Sequence, residues 1–400
     1  MSEVSAGKKW GGRVLKILVL VGVVGFVLSN VQWSDRLELR GESGEFDQFV
    51  EGSIDGPWDA EVVHFIPSEG EDVDVGREEK DRAVTPGLAT YLQQLDWFYF
   101  AGGALCYLVT LIVASSRWCW LLRANGLKVG LLEAIRLTWI GVFFNNIVPG
   151  QTGGDLVKAI YIVRRCPEGR VEAGMSVVVD RILGLGSLAL LGAIVVLFQL
   201  ERFAEIAVGM WIVLAGVSVI GSFAFSRKIR RGLKLDQRLR KLPPKLSGPL
   251  MKVDAAIYSY HEHRNGVLVW LVLGSLNHVA TISSFWLMGE ALGVGLDPID
   301  YFAIMPVVLM GSAVPILPAG WGVGELLTGE MFARFGAGSL AGPVADPEAV
   351  MRTRGVALSV LYRVHLTVWS LVGGLMLLLD KNRVEQHEVR EQAAQFGVEP

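Results

Sequence analysis

The chain has 400 residues, 52% of them hydrophobic and only 19% charged, with 47 glycines, 12 tryptophans and a formal charge of −3. Two or three soluble domains would fit that length, but several uninterrupted apolar runs of about 18 or more residues exclude that class. Glycine and tryptophan enrichment suits membrane helices and their interfacial belts, so the expected class is an all-α polytopic membrane protein.

In chain order, the first apolar run is 14–33, preceded by Lys8, Lys9, Arg13 and Lys16 and flanked by Trp10 and Trp33. A cleaved signal peptide is the alternative reading. Without an A-x-A site, residues 1–33 read instead as a signal anchor with a cytoplasmic N-terminus. Residues 34–96 hold 17 Asp/Glu against 5 Lys/Arg, which leaves the rest of the chain at +9. This acidic segment is expected outside the cell membrane, either as a small β-rich cap or as a floppy insertion. A second span, 97–116, ends at Arg117, Trp118 and Arg123 on the inside.

Residues 131–160 are apolar but interrupted by NNIVPGQTGGD at 145–155. Spans at Val177–Leu200 and Ala207–Phe225 follow, joined through Glu201, Arg202 and Glu205. The linker 226–264 carries 11 Lys/Arg against 3 acids and reads as cytoplasmic. A nucleic-acid patch is the alternative there, but no aromatics are interleaved with the charges, so no nucleic-acid partner is expected. His261 and His263 read as part of a solvated helix. Cys106, Cys119 and Cys166 lack CxxC spacing, so no disulfide, metal or other cofactor is expected. Gly266–Gly289 is a further span, residues 301–333 are broken by Pro306, Pro315, Pro318 and GWGVG, and the last span is 355–379. Lys381 and Arg383 then open a cytoplasmic tail, 381–400.

Counting crossings constrains the two broken segments. If 131–160 crossed the bilayer once, Arg164, Arg165, Arg170 and the basic linker would all lie outside, against the positive-inside rule. A segment that enters and returns keeps every basic cluster inside, and 301–333 must likewise return to the outer side. The expected architecture is therefore about six full spans plus two re-entrant hairpins of opposite orientation, the inverted-repeat pattern of transporters.

Irregular backbone survives at membrane depth only inside protein or beside water, because each unpaired amide there costs several kcal/mol. Pro149 and Gly150 end the inbound helix. Thr152 to Asp155 fits the T-x-x-D start of a new helix, Gly153–Arg165, whose exposed amides and positive dipole end suit a phosphate. Asn145, Asn146, Gly150, Thr152, Gly153, Gly154 and Asp155 are thus candidate head-group contacts; simple capping and close glycine packing are the alternative. Charges within spans add Asp180, Arg181, Glu325 and Arg363. For Asp180 and Arg181 the alternative is interfacial snorkelling, for Glu325 a helix cap, and for Asn277 and His278 a helix–helix hydrogen bond is expected. TGGD lacks the GK[ST] of a nucleotide-binding loop.

The stretches FFNNIVPGQTGGDLVKAIYI, VVVDRILGLGSLALL, LPAGWGVGE and VLYRVHL, with Arg117-Trp118, resemble motifs of the lysylphosphatidylglycerol synthase transmembrane-region family. The resemblance spans about 97–380 and implies a flippase-type fold with paired re-entrant helices acting on lipid head groups. Many members carry an arginine where this chain has Gly324, and the acidic 34–96 segment is not part of the usual pattern. With only about 20 residues after the last span, no aminoacyl-transferase domain is expected, and lysyl transfer by this chain alone is not.

The leading expectation is a non-enzymatic flippase or transporter of the inner (plasma) membrane, acting on an anionic phospholipid or a polyprenyl-linked lipid. Asp155 or Glu325 would carry a coupling proton. Two alternatives come from other classes: a membrane subunit assisting a partner enzyme of lipid or glycan synthesis, and a scaffold or receptor that uses residues 34–96.

Overall fold

The computed structural model describes residues 32–40, 46–76, 79, 81–147, 153–225, 244–313, 323–340 and 346–379. Nearly all of the expected signal anchor, most of the basic linker (226–243) and the tail 381–400 lie outside the described residues. The chain divides into two compact units: Met1–Leu105 with Ser283–His365, here the sheet-bearing unit, and Cys106–Ile282 with Leu366–Pro400, the all-helical unit.

The acidic segment is a β-rich domain. Its strands β1 (Asp35–Arg40), β2 (Phe46–Asp55), β3 (Val62–Pro67), β4 (Val73–Gly76) and β5 (Arg82–Thr85) form an antiparallel sheet in the order β4-β3-β2-β1-β5. Alternation places Leu37, Phe65 and Val75 on one buried face, with Leu39, Val50, Ile54, Val73 and Val84 packed against them. Asp35 is buried and its carboxylate is saturated: it accepts from Ile54 N at 2.9 Å, Gly87 N at 2.7 Å and Thr90 Oγ1 at 2.7 Å. The short α1 (Leu88–Gln93) follows.

The helices of the rest are α2 (Trp97–Ala124), α3 (Leu131–Ile147), α4 (Gly153–Arg165), α5 (Arg170–Val196), α6 (Leu200–Phe225), α7 (Pro244–Tyr258), α8 (Arg264–Ala291), α9 (Pro298–Ser312), α10 (Val323–Gly336) and α11 (Pro347–Leu378). Among the described residues, four helical stretches are long and apolar enough to cross a membrane: Trp97–Ala124, Arg170–Val219, Arg264–Ala291 and Pro347–Leu378. The second is 50 residues long, about 75 Å as one rod and far more than a hydrocarbon core needs. It is in fact α5 and α6, separated by a 3-10 turn at Leu197–Gln199 and by the non-helical Phe203 (φ −118°, ψ 28°), and the two pack on each other. Apolar side chains stay exposed at helical spacing along α2 (Leu105, Val109, Ile112) and α11 (Val364, Val368, Leu371, Leu375). Such stripes are stable only against lipid or another protein.

Both segments expected to be broken are two short helices that fold back on each other: α3 with α4, and α9 with α10. Their lengths of 17, 13, 15 and 14 residues correspond to about 20–25 Å each. In the all-helical unit, Trp118, Leu122, Leu137, Ile140, Val157, Ile162 and Val177 form the core that holds α2 to α5 together.

Candidate functional site

The break between α3 and α4 is closed by glycine packing. A Cβ on Gly154 would collide with the carbonyl oxygen of Gly141 and lie 2.6 Å from Asn145 Oδ1. The two arms can therefore touch backbone to backbone only because position 154 has no side chain. Asn145, from the incoming arm, accepts a hydrogen bond from Gly154 N at 2.7 Å. It thereby satisfies one of the orphan donors at the start of α4. The side chain of Asn146, and Gly150 and Thr152 altogether, lie outside the described residues. The helix nevertheless starts at the expected Gly153.

Asp155, in the first turn of α4, forms an ion pair with Arg181 Nε of α5. One residue earlier, Asp180 turns inward. Its Oδ1 accepts from Arg117 Nε of α2 at 2.7 Å, and its Oδ2 lies 3.7 Å from Lys158 Nζ of α4. Lys158 also sits over the indole of Trp118, 3.8 Å from the ring centroid. Arg117, Lys158 and Asp180 are at most 9% exposed, so Asp180 is a buried charge with two cations rather than a snorkelling one. Arg117 Nη1 is buried without a hydrogen-bond partner. Nearby, His278 Nε2 meets the Gly184 carbonyl at 2.9 Å, the helix–helix bond expected of His278, while Asn277 Oδ1 is buried without a hydrogen-bond partner.

The sheet-bearing unit repeats the hairpin device. Glu325 stands in the first turn of α10, as Asp155 does in α4, and pairs with an arginine of the following long helix, Arg363 of α11. The pair is two-pronged: Nε reaches Oε1, and Nη2 lies 3.3 Å from Oε2. Gly324 precedes the acid as Gly154 does, and its missing Cβ would lie 2.8 Å from Arg363 Nη2. Arg363 thus fills the space in front of the position where an arginine was expected from the resemblance. Glycine there makes room for the guanidinium that arrives from α11.

The two hairpins differ in one respect. Three residues after the acid, α4 carries Lys158 and α10 carries Thr328, whose hydroxyl donates back to Gly324 O at 2.7 Å. Just before the pairing arginine, α5 carries Asp180 and α11 carries Tyr362, stacked on Phe285 at 3.6 Å. Lys158 was not foreseen from the sequence. The available signal was its i+3 spacing from Asp155, which puts both on one face of α4.

The family model for the lysylphosphatidylglycerol synthase TM region matches residues 86–345, which includes both hairpins and stops before α11 and Arg363. A UPF0104 membrane protein of Pyrococcus horikoshii is 22% identical over 302 residues, covering 70% of this chain and 85% of that protein. A second UPF0104 membrane protein, from Methanocaldococcus jannaschii, is 23% identical over 245 residues, 56% of this chain and 71% of its own length. No solved structure matches.

Proposed function

The chain belongs to the lysylphosphatidylglycerol synthase TM region family, an integral membrane family, and on that premise we propose that it is a lipid flippase or transporter of the cell membrane. Its substrate is an anionic or polyprenyl-linked lipid whose phosphate is taken at the start of α4. The observation that carries this reading is the placement of Asp155, Arg181, Lys158, Asp180 and Arg117 around one interrupted hairpin in a unit built of apolar helices. Charge at membrane depth is expensive and is normally kept for a substrate path. Arg181, half-exposed beside the first turn of α4, offers the phosphate a cation next to the positive end of the helix dipole. Asn145 and Asn146 contact its polar substituents; Arg363, paired with Glu325, is a separate head-group cation at the second hairpin.

The proposed topology has six spans: 14–33, α2, α5, α6, α8 and α11, with both termini cytoplasmic. The hairpins α3–α4 and α9–α10 enter and return, which their fold-back and sub-bilayer lengths support. To test the site, Asp155→Ala and Arg363→Ala variants are reconstituted and the leaflet exposure of labelled anionic lipid is followed. Slowed exposure at normal expression is expected, and unchanged exposure refutes the assignment.

The ordered sheet at 35–85 favours a second reading, in which the protein assists a partner enzyme of lipid or glycan synthesis. Deleting 34–96 separates the two: a transporter keeps lipid movement without the sheet, and an accessory subunit loses its partner.

A further inference from the structure

Among the described residues, the charges that act on Lys158 do not sum to zero with its own. Four charged groups act on Lys158: Asp180 and Arg181 from α5, Asp155 from its own helix, and Arg117 from α2. Toward α3 a Cβ on Gly141 would lie 3.8 Å from Lys158 Cβ, and the ammonium end of Lys158 lies against the Trp118 ring. With Lys158 protonated, three cations face two carboxylates, a surplus of one positive charge around a side chain 7% exposed. An uncompensated charge in a low-dielectric site is among the least stable arrangements a protein can hold.

The 3.7 Å gap between Lys158 Nζ and Asp180 Oδ2 is too long for a hydrogen bond, and Asp180 gives its short bond to Arg117 instead. Arginine cannot give up its proton, whereas a desolvated lysine readily does. The corresponding hairpin of the sheet-bearing unit shows the same acid–arginine pair without a surplus charge beside it. There Thr328 and Tyr362 stand in place of Lys158 and Asp180, and the Glu325–Arg363 pair is neutral as a whole.

We propose that Lys158 is the proton-carrying group of the site: uncharged while the site is empty, and protonated from water when an anionic phosphate head group seats at the start of α4. The inference rests on the head-group reading given above. The charge count is then zero in both states. Without ligand, Arg117 and Arg181 balance Asp155 and Asp180; with ligand, the ammonium of Lys158 balances the phosphate. The proton adds to the Nζ lone pair and leaves again when the head group departs, so one proton accompanies each lipid. Lys158 lies one helical turn, about 4.5 Å, below Asp155, close enough to sense the phosphate without competing for its oxygens.

The test uses the purified full chain in weakly buffered detergent with a pH indicator, titrated with dioctanoyl phosphatidylglycerol or with farnesyl phosphate. Dioctanoyl phosphatidylcholine is the control. Uptake of about one proton per bound phosphatidylglycerol, a singly charged phosphodiester, is expected for the wild type, and at least as much for the doubly ionisable farnesyl phosphate. Lys158→Met should bind more weakly and Lys158→Arg at least as well as the wild type, and neither should take up a proton; the arginine variant keeps the charge and guards against a folding artefact in the other. Which anionic probe binds tells a phospholipid from a polyprenyl phosphate. Binding by the wild type without uptake, or uptake undiminished in both variants, overturns the role of Lys158 and leaves the head-group reading standing. Failure of the wild type to bind either anionic lipid overturns both.

Discussion

Asp180 is the position where the structure predicts the largest single effect. Replacing it with asparagine keeps the shape and removes the charge that Arg117 Nε engages at 2.7 Å. Arg117 is 5% exposed and its Nη1 already lacks a partner, so the variant strands a buried guanidinium. At an effective dielectric constant of about 20, a pair of unit charges 4 Å apart is worth about 4 kcal/mol. Breaking a buried pair by removing one partner costs about 3–5 kcal/mol. That should lower the midpoint of thermal aggregation of the detergent-solubilised protein by about 10 °C. The companion variant is Arg117→Met combined with Asp180→Asn. Removing both partners leaves no stranded charge, so the double variant should regain at least half of the loss. An Asp180→Asn protein that melts with the wild type, or a double variant worse than the sum of its singles, would refute the buried pairing.

The hairpin closure predicts a graded pair of glycine effects: Gly154→Ala should cost about 1–3 kcal/mol because its Cβ meets backbone. Gly141→Ala, whose Cβ would lie 3.2 Å from Gly154 O, should cost clearly less, with thermal midpoints as the readout. In the sheet, His64 stands directly across from Asp74, with Nδ1 2.6 Å from Oδ1 and Asp72 at 3.8 Å from Nε2. The hydrogen bond to Asp74 raises its pKa above 6.5, so its contribution to the domain is fully present below 6.5 and lost as pH rises through the raised value. Protease resistance of the sheet in the full chain should fall over that interval, and His64→Gln should flatten the profile. Cys166 lies just after α4 in the loop that decides the topology, and burial raises its thiol pKa. An impermeant maleimide should label it from the cytoplasmic side, faster at alkaline pH; labelling from the outside would mean that α3 and α4 pass through the bilayer.

What could be read in advance divides along physical lines. The start and end of α4 were legible because Pro149, Gly150 and the paired glycines are local signals that act within one turn. Arg363 stood out because a charge in an apolar run has few bland explanations. The sheet was harder. Its strands run from 4 to 10 residues, acids interrupt the alternation, and β1 finds its second neighbour β5 more than forty residues away. The Arg117–Asp180–Lys158 cluster was missed because helix ends were placed too early or too late. Arg117 was expected at the end of a span, yet α2 continues to Ala124; Asp180 was expected near the start of one, yet α5 begins at Arg170. Arg117 therefore lies about two turns and Asp180 nearly three turns inside its helix, where each must find a partner on another.

That difference of about two to three turns separates an interfacial charge from an internal one, and it bears on what the cluster is for. A buried ion pair seldom stabilises a fold more than well-packed apolar residues of similar volume would. The chain itself holds the comparison. Its other hairpin keeps the same acid–arginine pair at the same point but fills the two adjoining positions with Thr328 and Tyr362, both buried and both uncharged. The hairpin fold is thus built without Lys158 and Asp180, so stability of the hairpin does not account for them. A lysine and an aspartate added to an already neutral pair bring desolvation costs on both side chains. They also bring Arg117 into the buried interior as a third charge. The return on that cost is a site whose net charge can change by one unit through a single proton, which is the property needed to admit an anion into an apolar protein and then release it.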